Sequence, residues 1–159
     1  MAKIKRSQLM TFMNTTPSGA ATYSLIGDGV TGGSISYNPQ VEEETYIHQD
    51  SATITVESYS PKLSLEASAV AGDAVFDFID ALRVARAVLA DAQTDIVNVW
   101  AYESGGPTAY PAEKQNVSIQ VDEFGGEGGS SVKINYTVNF IGDPIPGTFN
   151  ASTKAFTPA

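Results

Sequence analysis

Apolar and polar positions change their period twice along this chain. From Thr53 to Ser58 and again from Lys62 to Ser68 they alternate, which predicts two strands with Ile54 and Val56, then Leu63, Leu65 and Ala67, facing inward. The period then lengthens. Val75, Phe78, Ile79, Leu82, Ala85 and Leu89 fall on one stripe of a helix expected over about 73–90, with Asp73 as its N-cap. Beyond it the short period returns. Ile96 to Tyr102 predicts a strand buried on both faces with Trp100 in the core, and Gly105-Gly106-Pro107 predicts a break. Val117, Ile119 and Val121, then Val132, Ile134, Tyr136, Val138 and Phe140, predict a hairpin turning through the glycines at 125–129. Earlier, Thr22 to Ile26 and Ser34 to Tyr37 predict two further strands around the glycine cluster at 27–33. One helix among many strands points to a mainly β (α+β) fold, an antiparallel β-sandwich or barrel with the helix on its flank.

Three stretches fall outside this pattern. Residues 1–19 carry Ile4, Leu9, Met10, Phe12 and Met13 up to the breaker Thr15-Thr16-Pro17 and are expected as an N-terminal arm. Residues 143–159, with Phe149 and Phe156, are expected as a C-terminal arm. Residues 40–51 are polar and acidic and predict a long loop, in which Tyr46 and Ile47 suggest an interaction surface at the tip. The chain thus reads as a single domain over 1–159, with the core and its helix in 20–142.

Composition narrows the chemistry. With no cysteine there is no disulfide framework, thiol nucleophile or Cys-based zinc site. Lys and Arg number 9 against 18 Asp and Glu, a net charge of -9 that disfavours binding to phosphates or anionic membranes. Lys3, Lys5 and Arg6 concentrate the cations at the start, but the apolar run after them is too short and interrupted for a secretion signal. No apolar run approaches a membrane span, and the protein is expected to be soluble. Gly27, Gly29 and Gly32 spell GxGxxG, yet a β-like stretch and Pro39 follow where a dinucleotide site needs a helix. His48 and Asp50 sit near Glu42-Glu43-Glu44 without the alternating ligands and glycine of a calcium loop, so no metal is expected. Asp77 and Asp80 read as a solvated helix face rather than an acid and base pair. No catalytic residue and no cofactor is predicted.

The order of segments carries a resemblance. Tyr37-Asn38-Pro39-Gln40, the acidic stretch to Tyr46-Ile47 and Asp50, Ser58-Tyr59-Ser60-Pro61, the run from Gly72 to Arg83, and Asn139-Phe140-Ile141-Gly142-Asp143-Pro144 with Gly147-Thr148-Phe149 together resemble the major tail tube proteins of long-tailed, non-contractile bacteriophages. The resemblance spans about Ser34 to Phe149. It implies a structural virion protein, made in the host cytoplasm, whose hexameric rings join their inner sheets into a barrel and stack into a hollow tube for DNA. It also implies partners in the tail: a tape measure, a terminator and a distal tail protein. Contacts within or between rings would then fall to Lys3, Ile4, Lys5, Arg6, Phe12, Tyr46, Ile47, His48, Asp50, Phe149 and Phe156, and Glu57, Glu66 and Asp122 would supply an anionic lumen across which DNA slides unbound. The rival readings are a monomeric β-sandwich binding module and the tube of a contractile injection machine.

Overall fold

The computed structural model describes residues 2–103 and 106–159; Gly105, part of the expected break, lies outside them. The strands are β1 (Leu9–Asn14), β2 (Tyr23–Leu25), β3 (Val30–Ser36), β4 (Pro39–Glu44), β5 (Thr53–Tyr59), β6 (Lys62–Ser68), β7 (Gln93–Trp100), β8 (Tyr110–Gly125), β9 (Lys133–Asn150) and β10 (Ala155–Pro158), with one helix, α1 (Ala74–Ala85). The main sheet is antiparallel in the order β2-β1-β7-β8-β9-β6-β3, with β10 added beside β9, and it curls into a half-barrel. The mainly β class with one flanking helix is as the alternation predicts.

The hairpin β8–β9 is the backbone of this sheet. Its strands are 16 and 18 residues long, so each serves two neighbourhoods. Lys133–Asn139 of β9 pair with β6, and Gly147–Asn150 pair with β10. On the other strand, residues 112–118 of β8 pair with β7. The first core cluster forms over the β6 side, where Leu63, Leu65, Ile119, Ile134, Tyr136 and Val138 meet Val75 and Ile79 of α1. The second forms over the β7 side from Phe12, Tyr23, Val97, Val99, Ala112 and Phe149.

Helix α1 starts as predicted. The Asp73 carboxylate accepts a hydrogen bond from Phe76 N at 3.1 Å, satisfying one of the free N–H groups of the first turn. It ends early. Arg86 takes a left-handed conformation (φ 47°) and Ala87 N closes onto Leu82 O, so the stripe stops at Ala85 and Leu89 is left 84% exposed. A non-glycine residue at that position gives no sequence sign of the stop.

Both expected arms are largely sheet. Residues 9–14 are β1, inserted between β2 and β7; residues 143–150 continue β9 and 155–158 pair beside it. The predicted loop at 40–51 is mostly strand and turn as well. β4 and β5 form a separate two-stranded hairpin, its turn closed by Gln49 N donating to Tyr46 O. Ile54 and Val56, predicted inward, lie on this hairpin at 65% and 50% exposed, because it has no second layer to pack on. Trp100 is only half-buried, since it ends β7 at the rim of the body.

Candidate assembly surfaces

Strands β3, β6, the first half of β9 and the second half of β8 form a contiguous four-stranded stretch. Its inner face is the first core cluster. The opposite face follows from register and consists of three rows: Ser36, Lys62, Asn139 and Ser118; Ser34, Ser64, Thr137 and Gln120; Gly32, Glu66, Asn135 and Glu123. Asn139 donates to Gln120, Gln120 donates to Asp122, and the Thr137 hydroxyl donates to Asp122 Oδ2 at 2.7 Å. These bonds hold short polar side chains flat against the sheet. Glu66 and Asp122, two of the acids expected from the resemblance, share this one face of the sheet, with Lys62 in the same rows and Lys133 in the next. Glu57 is not on this face; it belongs to β5 of the projecting hairpin.

Among the described residues, both lateral edges of this stretch lack a neighbouring strand. β3 ends the ladder, and residues 119–125 of β8 lie beyond the last β7 pairing at Ser118. Successive antiparallel pairings make β3 and β8 run in opposite directions. An edge of this kind presents unpaired N–H and C=O groups to whatever approaches.

The β4–β5 hairpin continues the β3 and β6 strands past a neck. There Asn38 adopts φ 43° and its side chain donates to Ser60 O at 3.0 Å, while Ser60 N donates to Tyr37 O. Tyr37 and Tyr59 pack edge-on above the neck at 6.4 Å. Val41, paired with Val56, and Glu43, paired with Ile54, share one face and are all exposed. At the tip Tyr46 stacks on His48 at 6.3 Å, and Ile47 stands fully free. Tyr46, Ile47, His48 and Asp50 are thus gathered at one exposed point. Val41, Ile54, Val56 and Tyr59 belong to the same surface and were missed; the paired breakers Asn38-Pro39 and Ser60-Pro61 around an alternating stretch are the sequence sign of it.

At the N-terminus Lys3, Ile4 and Lys5 are exposed. Arg6 begins a 3₁₀ turn and donates to Leu9 O at 2.7 Å and Gly33 O at 3.2 Å, tying the root of the arm to β3. Phe12 and Phe149, expected at contacts between subunits, are instead inside the subunit. Their rings pack at 4.5 Å in the second core cluster, because the two segments predicted as arms are strands of the same sheet. Phe156 is half-buried on β10 over Gly147, where a Cβ would overlap its ring and the Thr157 carbonyl oxygen.

Burial, then the hydrogen bond to Asp95, pushes the Tyr23 hydroxyl far above its ordinary range; burial and then the charge of Asp73 do the same for Tyr136. Burial alone raises Glu113. Asp80 is bound by Arg83 at 2.8 Å, and Arg83 also stacks on Phe124 at 3.9 Å, so Asp80 is held in a surface ion pair, while Asp77 is exposed. Gly29 has φ 78° in a turn leading into β3, so no helix follows the GxGxxG spelling. No helix is long and apolar enough to cross a membrane among the described residues.

No protein family and no curated protein matches the sequence. Among solved structures, the chain is similar to one described as the tail of an empty GTA particle, computed with helical refinement in C6 symmetry. The TM-score is 0.66 over 98% of this chain and 99% of that one, at 12% identity. The two share a fold.

Proposed function

We propose that this protein is the tube-forming subunit of a virion tail, a structural protein and not an enzyme. Six copies close a ring, and rings stack into a hollow tube through which DNA passes. The observation that carries this reading is the pair of unpartnered edges running in opposite directions. The β3 edge of one copy can continue the β8 edge of the next with the antiparallel alternation unbroken, so a head-to-tail contact adds sheet to sheet. A ring removes every such edge. The likeness in fold to a subunit of a C6 helical tail supports six as the number that closes it.

In this reading the three polar rows line the bore. The wall is mostly short Ser, Thr, Asn and Gln side chains with few charges of either sign, so phosphates find no dense cationic stripe to bind. The β4–β5 hairpin, with the apolar face and tip that its own subunit leaves uncovered, reaches a neighbouring subunit. The tail's other components and the long-tailed, non-contractile type follow from the resemblance in segment order.

The seam is testable because the chain has no cysteine of its own. Ser34→Cys on β3 combined with Gln120→Cys on β8 should give, on oxidation of the assembled protein, a ladder of disulfide-linked species ending at the hexamer. Assemblies that form with these cysteines yet give no intermolecular disulfide would overturn the proposed seam.

A further inference from the structure

Where the hairpin neck meets the body there is a crevice of about 920 Å³. Tyr59, Trp100 and Phe140 supply apolar walls, and Glu57, Glu113 and Asp143 supply carboxylates; no Lys or Arg lines it. Among the described residues, none of the three carboxylates receives a side-chain hydrogen bond or an ion pair. Glu113 is half-buried, and burial raises its pKa, so its charged form lacks compensation within the subunit. An aromatic cleft with uncompensated carboxylates is matched by a cationic side chain with an apolar stem.

The same chain has such a ligand. Lys3, Ile4 and Lys5 are exposed and belong to no helix or strand, and Lys5 is extended (φ -81°, ψ 145°), so the lysine side chains are free to meet another surface. The root of this arm is held by Arg6 on β3, the edge assigned above to the ring contact. We propose that residues 2–5 of one copy cross the seam and bind in this crevice of the adjacent copy, Lys3 and Lys5 against Glu57, Glu113 and Asp143, with their stems on Trp100 and Tyr59. The inference rests on the ring reading. It makes the arm a strap that reports on the correct neighbour, because the crevice is complete only when a second copy fills it.

The test mixes two single-cysteine proteins, Ile4→Cys and Ser58→Cys, assembles them, oxidises them and separates them under denaturing conditions, with electron microscopy of the same sample. A heterodimer linked between the two positions is expected as the main product. Introducing Lys3→Glu and Lys5→Glu into the first partner should reduce that product at least tenfold, and adding Glu57→Lys and Asp143→Lys to the second should restore it. Rings or tubes in the microscope without the heterodimer would overturn the strap and leave the ring reading standing. A disulfide formed within isolated monomers of the double-cysteine chain would overturn it too, by placing the arm in its own crevice. No assembly from the unmodified protein would remove both readings together.

Discussion

At the residue scale, the body depends on one buried polar cluster as well as on its apolar core. Asp95 accepts from the Tyr23 hydroxyl at 2.6 Å and from the Asn14 amide at 2.9 Å, with Lys114 at 4.0 Å, and so joins β1, β2 and β7. Asp95→Ala leaves a buried hydroxyl and a buried amide without their acceptor, and should cost about 2–3 kcal/mol in urea unfolding. In the Tyr23→Phe background the same change should cost clearly less, since part of the loss has already been taken. The two raised tyrosines give a sign for pH. Each is held neutral in the fold, so the stability they contribute is complete below the unfolded tyrosine value of about 10 and is lost as pH rises beyond it. Urea midpoints should fall progressively above pH about 10, less steeply in Tyr23→Phe. A flat profile there would contradict the burial argument.

At the element scale, alternation was readable wherever one face of a strand meets a core, as in β6, where Leu63, Leu65 and Ala67 are buried and Ser64 and Glu66 are not. It misled on β5, which has the same period and no core to face. Period specifies which residues share a side of a strand, not whether anything covers that side. Phe12 and Phe149 illustrate a second limit: neither lies in a long regular pattern, and their partnership depends on strands 137 positions apart meeting in one sheet. The helix stop at Arg86 was hidden because a non-glycine residue fills the left-handed position. The exposed tip at Tyr46 and Ile47 was visible, since aromatic and branched apolar residues amid acids have no local reason to be there. The hairpin contributes to neither core cluster, so replacing residues 40–58 with a short glycine turn should leave Tm nearly unchanged while abolishing assembly. Scanning calorimetry and sedimentation would check this, and a large fall in Tm would show that the hairpin belongs to the fold.

At the scale of the whole molecule, the distribution of charge matters more than its total. The chain carries a net charge of -9, yet the polar face of the four-stranded stretch holds Lys62 and Lys133 beside Glu66, Asp122 and Glu123. A bore made from this face would act through the scarcity of cations and the shortness of its side chains. Glu66→Lys with Asp122→Lys should therefore preserve assembly and create salt-sensitive retention of a short DNA duplex, measured by cosedimentation at two salt concentrations. Variant tubes that retain no more DNA than the parent would place another face toward the bore.

The central claim is that this subunit closes on itself sixfold through its own sheet edges. Electron cryomicroscopy of the purified, concentrated protein addresses it most directly. The account predicts rings or hollow tubes with six subunits per layer and a continuous antiparallel sheet around the bore, β3 beside β8 of the neighbour. A protein that stays monomeric at every concentration, or that closes with another symmetry through another surface, would contradict it.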